Sequence, residues 1–121
     1  MNKLIKDCAN EFRSIEEPIR VVSHLDADGL TSAAIISKAL MRNGNEFSLS
    51  IVRQLDENVI KELSLENYNH ILFLDLGSGF LGMIKKYLND RKIFILDHHI
   101  PENVENNFFH VNPHLLGLES W

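Results

Sequence analysis

The chain has 121 residues, of which 45% are hydrophobic and 24% are charged, so it can bury the core of one compact domain and is not generally disordered. Its 12 lysines and arginines are outnumbered by 17 aspartates and glutamates, and the formal net charge of -5 excludes a protein held on nucleic acid by overall charge alone. A single cysteine excludes an internal disulfide framework and a cysteine zinc cluster, and no segment approaches the apolar length of a membrane span, so we expect a soluble, cytoplasmic protein without a membrane partner.

The predicted elements alternate between helices and strands. The first helix has apolar residues at helical spacing, namely Leu4, Ile5, Cys8, Ala9 and Phe12. In chain order we predict a helix over 2–14, a strand over 19–23, a helix over 29–42, a strand over 47–52, a short helix over 56–63, a strand over 70–74, a helix over 79–88, a strand over 92–96 and a short fifth strand over 108–111. This alternation predicts an α/β fold, with a Rossmann-like parallel sheet of four to five strands and helices on both faces, in a single domain over residues 1–121.

Three of the predicted strands end in acids or histidines. The first runs into His24-Leu25-Asp26-Ala27-Asp28-Gly29, the third into Asp75, and the fourth into Asp97-His98-His99. Because the carboxyl ends of parallel strands share one edge of a sheet, we expect four carboxylates and three imidazoles to meet in a single cleft.

The charges of such a cleft indicate a bound metal ion. Like charges a few ångströms apart repel by roughly 4 kcal/mol per pair at an effective dielectric of about 20, and none of the three motifs contains a basic residue. Carboxylates and imidazoles without a thiolate favour Mn²⁺, Mg²⁺, Fe²⁺ or Zn²⁺. Alternate residues of an extended segment point the same way, so we expect His24, Asp26 and Asp28 to face one volume.

Each of these features also has a simpler explanation. An acid that follows a strand, such as Asp28 or Asp75, is often only the N-cap of a helix. An isolated histidine such as His70 is more often structural than a ligand. Three motifs at equivalent strand ends are harder to explain by helix caps, and together they favour the metal site.

The three motifs resemble those of the DHH phosphoesterase superfamily, which is named after the tripeptide that here is Asp97-His98-His99. Motif I corresponds to residues 23–33 and motif II to residues 74–77, and Asn112-Pro113-His114 followed by Gly117 is similar to the asparagine-proline segment of RecJ-like members. The Asp-x-Asp-Gly form of motif I resembles RecJ-like single-strand exonucleases, the archaeal ones especially, more than family II pyrophosphatases.

The resemblance implies a two-metal site for Mn²⁺ or Mg²⁺ and the hydrolysis of phosphodiesters, as in a 5′–3′ exonuclease on single-stranded DNA or RNA. In this interpretation Asp75 bridges the two ions, Asp97 orients His98, and His99 contacts the scissile phosphate. The implied metal ligands are His24, Asp26, Asp28, Asp75 and His98.

Family members also carry a later aspartate motif and a DHH-associated domain, and neither follows within this chain. We therefore expect residues 1–121 to be the N-terminal part of the DHH domain of a longer enzyme, although a short half that assembles with another chain remains an alternative. Expected partners are single-stranded nucleic acid or a short oligonucleotide, replication or repair proteins, and a second copy bound through the edge of the last strand.

Two other functions remain open at this point. The same superfamily includes phosphodiesterases of oligonucleotides or cyclic dinucleotides and pyrophosphatases, and it includes a non-catalytic interaction module of a replication complex. A dinucleotide-binding Rossmann protein is not favoured, because the first strand-helix turn has carboxylates where the glycine-rich fingerprint would bind a pyrophosphate.

Overall fold

A computed structural model of the chain describes residues 2–116, including their side chains except those of residues 2–5, 8, 115 and 116. The side chains of Leu4, Ile5 and Cys8, together with Gly117 and the chain end, therefore lie outside the described residues. The helices are α1 (Asn2–Arg13), α2 (Ala27–Arg42), α3 (Glu57–Leu65) and α4 (Leu81–Leu88). The strands are β1 (Ile19–His24), β2 (Phe47–Val52), β3 (His70–Leu74), β4 (Lys92–Leu96) and β5 (Phe109–Val111), and short 3-10 turns occupy Ser78–Phe80 and Pro113–Leu116.

The five strands form one parallel sheet in the order β2-β1-β3-β4-β5. The register is regular, since Ser23 of β1 lies opposite Leu74 of β3, and Leu74 lies opposite Leu96 of β4. The strand order reverses between β1 and β3, and in open α/β sheets ligands bind beyond the carboxyl ends of the strands at this point. The predicted α/β fold class is confirmed, including the short fifth strand.

Two apolar clusters cover the two faces of the sheet. One packs α3 and α4 against the sheet around the buried Phe73, Ile84 and Ile95. The other packs α1 and α2 around Phe94, whose ring meets those of Phe12 and Phe109 edge-on at centroid distances of 5.4 and 4.9 Å. Since interiors of this kind are closely packed, the strands provide a rigid base for the loops at their carboxyl ends.

Helix α2 begins at Ala27, two residues before the predicted start. The cause is the Asp26 side chain, whose Oδ1 accepts a hydrogen bond of 2.7 Å from the main-chain N–H of Gly29 and so caps the helix. Asp28 therefore lies in the first turn of α2. The expectation that His24, Asp26 and Asp28 alternate along one extended segment is wrong for Asp28.

Strands β2 and β5 are the edges of the sheet. Within residues 2–116 no strand pairs with the outer side of β5, and self-association through that side stays a prediction. None of the helices in this stretch combines the length and the apolar composition that a membrane span needs.

Candidate metal centre

The three sequence motifs lie side by side at the carboxyl edge of the sheet. His24 is the last residue of β1, Asp75 follows β3, and Asp97 follows β4. Two groups of metal-ligating side chains result, in each of which the ligand atoms lie within 4.8 Å of one another: His24, Asp26 and Asp75, and Asp75, Asp97, His98 and His99. Asp75 belongs to both groups.

The Asp75 carboxylate lies between two histidine rings. Its Oδ1 is 2.7 Å from Nε2 of His98, and its Oδ2 is 3.3 Å from Nδ1 of His24. The residue is 4% exposed, and its φ of 59° lies in the left-handed region that asparagine and aspartate tolerate better than most residues. Burial, followed by the neighbouring Asp26 carboxyl group, raises the pKa of Asp75. The hydrogen bonds from His98 and His24 act in the opposite direction but do not outweigh these effects, and an added positive charge would favour the charged carboxylate further.

The hydrogen bond of His24 to the main chain fixes its tautomer. Nε2 lies 3.0 Å from the carbonyl oxygen of Arg53, and because a carbonyl can only accept, Nε2 carries a hydrogen. Nδ1 faces Oδ2 of Asp26 at 3.0 Å and Oδ2 of Asp75 at 3.3 Å. When the ring is neutral, Nδ1 therefore carries a lone pair that faces two carboxylates. The Nε2–H donates to a main-chain carbonyl, as the second nitrogen of many metal-ligating histidines does.

Asp26 and Asp28 lie on different sides of the cluster. The hydrogen bond from the Gly29 N–H lowers the pKa of Asp26 and keeps this carboxylate charged. Asp28 has Oδ2 at 3.7 Å from Nε2 of His98, and its side chain is 73% exposed. The structure therefore places Asp26 beside His24 and Asp28 beside His98.

Gly29 allows helix α2 to start this close to the end of β1. A Cβ atom at this position would lie 1.9 Å from the carbonyl oxygen of His24. Main-chain atoms cannot give way by that distance without moving the His24 side chain, so a glycine is required for the geometry of motif I.

Asp97 contacts the ring of His99 and not the ring of His98. Its Oδ1 accepts a hydrogen bond of 2.6 Å from Nδ1 of His99 and one of 2.8 Å from the main-chain N–H of His98. The expectation that Asp97 orients the His98 ring is therefore corrected, because the turn after β4 places the ring of His98 against Asp75 instead.

The Asp97 and His99 side chains shift each other's pKa. Burial raises the pKa of Asp97, but the hydrogen bonds from His99 and from the Ser78 N–H outweigh it, and the pKa is lowered overall. Burial lowers the pKa of His99, but the hydrogen bond and charge of Asp97 outweigh it, and this pKa is raised. Both shifts favour a charged pair.

Three buried residues lie behind the Asp97-His98-His99 turn, and sequence reasoning gave none of them a role, although Asn112 belongs to the asparagine-proline segment noted above. Ser78 Oγ lies 2.7 Å from Nε2 of His110, and Asn112 Nδ2 donates to Ser78 Oγ and to the carbonyl of His99. The sequence does hold one indication of them, because Asn112 follows β5 at the same edge of the sheet as the three motifs. Nothing in the spacing pairs it with Ser78.

The donor set fits a divalent cation. Within the described residues, lysine and arginine side chains pair with Glu11, Glu57, Glu66 and Asp90 and with no carboxylate of the cluster. Carboxylates and imidazoles without a cation or a thiolate suit hard or borderline ions such as Mn²⁺ or Mg²⁺.

A cavity of about 620 Å³ adjoins the cluster. Asp28, Asp75 and His98 line it at one end, and Phe12 and Phe94 belong to its apolar lining between α1 and α2. This volume lies within the range of about 300–1,000 Å³ that is usual for small-molecule sites. The cluster is therefore accessible to a ligand.

A parallel α/β sheet with these three motifs at its carboxyl edge defines the superfamily of metal-dependent phosphoesterases and exonucleases to which RecJ-like proteins belong. The chain belongs to the DHH family, since the family model described as DHH family, N-terminal domain, matches residues 18–120.

Comparisons with individual proteins agree with this assignment. An uncharacterised protein of Methanocaldococcus jannaschii is 38% identical over 133 residues, which cover 98% of this chain and 30% of the relative. The chain thus spans less than a third of the length of this curated relative.

Two solved structures share the fold. One is RecJ in complex with Mn²⁺ from Thermus thermophilus, with a TM-score of 0.73 and 25% identity over 93% of this chain and 17% of that chain. The other is an exonuclease RecJ bound to manganese, with a TM-score of 0.75 and 23% identity over 93% of this chain and 31% of that chain. The predicted resemblance to the RecJ-like DHH domain is confirmed.

Proposed function

We propose that this chain is the metal-binding and catalytic part of a Mn²⁺- or Mg²⁺-dependent phosphodiesterase, a RecJ-like 5′–3′ exonuclease that acts on single-stranded DNA or RNA. The observation that carries the proposal is the Asp75 carboxylate, whose two oxygens face the rings of His24 and His98 on opposite sides. A carboxylate with an imidazole beside each of its oxygens supports this proposal, because such a carboxylate can be shared by two metal ions that each have a histidine ligand.

Five residues would hold the two ions. His24 and Asp26 form one side of the site, Asp28 and His98 form the other, and Asp75 would be shared. When bound, the ions supply Lewis-acid stabilisation of the phosphoryl oxygens and lower the pKa of a water nucleophile. Two dications would also change the formal net charge from -5 to about -1, which reduces the repulsion of a polyanion.

His99 is proposed as the residue that contacts the scissile phosphate. Its side chain is 49% exposed, and its Nδ1 donates to the buried Asp97. The raised pKa of His99 favours the imidazolium, so Nε2 retains a proton that it can donate to a phosphoryl oxygen. Asp97 is proposed to keep the ring in this orientation.

A second candidate keeps the metals and takes a smaller substrate. The cavity beside Asp75 and His98 is of a size that accommodates a mononucleotide or a cyclic dinucleotide. A phosphodiesterase of short oligonucleotides or cyclic dinucleotides, or a pyrophosphatase, would use the same residues.

The test is a turnover assay with the complete natural protein and Mn²⁺. Each candidate substrate is tested separately: a 5′-labelled single strand, the matching duplex, a dinucleotide, a cyclic dinucleotide and pyrophosphate. A reaction with EDTA is the metal-free control. We expect mononucleotides from the single strand and none with EDTA. His99→Gln should lower kcat by roughly 10²-fold or more and leave Mn²⁺ affinity within about threefold. Turnover of the small substrates alone would select the second candidate, and no turnover of any substrate would refute both.

A further inference from the structure

The proposed chemistry does not use a buried cluster of three hydrogen-bonded polar residues, Ser78, His110 and Asn112, which is called this group below. Ser78 and Asn112 are 0% exposed and His110 is 6% exposed. They come from separate segments, the turn after β3, strand β5 and the residue after β5. Buried polar groups are costly unless every donor and acceptor has a partner, so their hydrogen bonds define their orientation.

Three hydrogen bonds fix the orientation of the Asn112 amide. Nδ2 donates to Ser78 Oγ at 2.9 Å and to the main-chain carbonyl of His99 at 2.8 Å, and Oδ1 accepts from the His114 N–H at 2.9 Å. The opposite orientation of the amide would place NH₂ against an N–H, so only one orientation satisfies the three partners.

The Ser78 hydroxyl takes its direction from Asn112. Because Oγ already accepts from Asn112, its hydrogen is free to point to Nε2 of His110 at 2.7 Å, and within the described residues no other acceptor contacts it. His110 Nε2 is then the acceptor and the ring is neutral, with its hydrogen on Nδ1. Burial, which lowers the pKa of His110, favours the same neutral form.

This group is joined to the Asp97–His99 pair at two points. The main-chain N–H of Ser78 donates to Oδ2 of Asp97 at 3.1 Å, while Oδ1 of Asp97 accepts from the His99 ring. Asn112 holds the carbonyl of the same histidine. Both the ring and the main chain of His99 are thus connected to Ser78 and Asn112. Among the hydrogen bonds of the described residues, none joins these two side chains to the five proposed metal ligands.

We propose that Ser78, His110 and Asn112 are positioning residues that fix the His99 ring over the reacting phosphate. The proposal rests on the proposed function for the role of His99, and it makes a separate claim about how rigidly this ring is held. Its specific consequence is that turnover and metal affinity respond differently when the group is disturbed.

The main variant is Asn112→Asp, which keeps the shape of the side chain and replaces two donors by acceptors facing Ser78 Oγ and the His99 carbonyl. Asn106→Asp is the matched control, because Asn106 lies in the β4–β5 connection, outside this group, and bonds only to main-chain atoms of Val104 and Phe108. Ser78→Ala and Ser78→Thr form a second pair, in which threonine keeps the hydroxyl.

Turnover by the complete natural protein is measured together with Mn²⁺ titration. We expect Asn112→Asp and Ser78→Ala to lower kcat by about 10–100-fold, the scale known for residues that orient a metal ligand by a hydrogen bond, with Mn²⁺ Kd within about threefold of wild type. Ser78→Thr and Asn106→Asp should stay close to wild type. Equal losses in kcat and Mn²⁺ affinity, or no loss of kcat, would overturn the proposal.

A second readout does not depend on activity. The His99 Nδ1 proton bonded to Asp97 should give a low-field NMR resonance in the Mg²⁺-loaded protein, assigned by its disappearance in His99→Gln. We expect it to broaden by exchange with water in Ser78→Ala and Asn112→Asp and to remain sharp in Ser78→Thr and Asn106→Asp. A sharp signal in all folded variants overturns the proposal. Loss of the signal in a protein without phosphodiesterase activity would support the positioning and refute only the proposed function.

Discussion

Nε2 of His98 and Oδ1 of Asp75 lie 2.7 Å apart, although 23 positions separate the two residues in the chain. The other oxygen of Asp75 is 3.3 Å from Nδ1 of His24, so one carboxylate connects the ends of β1 and β4 from its place after β3. A change at Asp75 therefore acts on both sides of the cluster at once.

Asp75→Asn should separate metal binding from folding. Asparagine keeps the side-chain shape and tolerates the φ of 59°, so the backbone should be retained. Mn²⁺ affinity measured by isothermal titration should fall by about 100-fold or more, since a direct ligand should matter more than the outer partners whose loss costs about 10–100-fold. Asp90→Asn, a change at an exposed aspartate, is the control. Unaltered Mn²⁺ binding in Asp75→Asn would contradict the two-metal site.

The same variant should be more stable than wild type without metal at neutral pH. The pKa of Asp75 is raised in the folded protein. Between the ordinary aspartate pKa and this higher value, the folded protein binds more protons than the unfolded chain. The free energy of unfolding therefore decreases as the pH increases through that range. Asparagine removes this loss. Thermal unfolding in EDTA should show a higher Tm for Asp75→Asn at pH 7.5 and a smaller difference at pH 4. A lower Tm at pH 7.5 would show that the charged carboxylate is satisfied without a cation.

Added Mn²⁺ should stabilise the wild-type protein in a pH-dependent manner. At 100 times Kd a ligand that binds only the folded state adds about 2.7 kcal/mol, and this gain requires a deprotonated Asp75. Because its pKa is raised, the gain should begin to fall at a higher pH than for an ordinary aspartate. The measurement is Tm with and without Mn²⁺ from pH 7.5 to pH 4. A gain that is constant over this range would contradict carboxylate ligation.

Gly29→Ala should destabilise the fold although alanine is the better helix former. In an open helix position the change would gain about 1 kcal/mol, but here the new Cβ would lie 1.9 Å from the His24 carbonyl oxygen. We expect a net loss of about 3 kcal/mol in urea unfolding, with weaker Mn²⁺ binding because His24 must move. Gly79→Ala, where an added Cβ meets nothing within 4 Å, is the control. Equal behaviour of the two variants would show that motif I adapts without cost.

His70 lies at the amino end of β3, away from the cluster. Its buried Nδ1 has no hydrogen-bond partner within residues 2–116, and the nearest carboxylate oxygen, on Glu17, is 3.9 Å away. Burial lowers the pKa of His70, so the unfolded chain binds its proton more readily and stability falls as pH decreases from about 6.5. These features agree with the structural role expected for an isolated histidine.

His70→Phe should therefore stabilise the protein. Removal of an unsatisfied buried group is expected to gain about 1 kcal/mol at pH 7, and more at pH 5.5, where wild-type His70 costs additional stability. Urea unfolding at both pH values measures the gain. His114→Phe, a change at an exposed histidine, should have an effect within about 0.5 kcal/mol. A loss of stability in His70→Phe at both pH values would mean that Nδ1 has a favourable interaction.

The order of elements and the edge of the sheet that carries the site could be predicted from the sequence. Apolar periodicity defined the helices and strands, and acids or histidines after three strands marked their carboxyl ends. Local signals were sufficient for this, because parallel strands bring their ends together whatever the details of the loops. The short helix predicted over 56–63 is α3, which begins at Glu57 because Oδ1 of Asp56 accepts from the Val59 N–H at 3.0 Å and caps it.

The arrangement within the site could not be predicted in the same way. Whether Asp97 meets His98 or His99 depends on one turn of the main chain, and both rings are within reach of it in sequence. Ser78 and Asn112 are 34 residues apart, and their hydrogen bond exists only because β5 lies next to β4. Asp28 was expected in an extended segment but lies in the first turn of α2, because the Asp26 side chain caps this helix.

The left-handed backbone at Asp75 also has an evolutionary consequence. Apart from glycine, asparagine and aspartate are the residues that adopt this conformation most readily. Their codons differ only in the first base, so a single transition mutation exchanges the acid for its amide and leaves the surrounding scaffold intact. One base change is therefore enough to remove the carboxylate that faces both His24 and His98, at a position whose main-chain conformation the amide also tolerates.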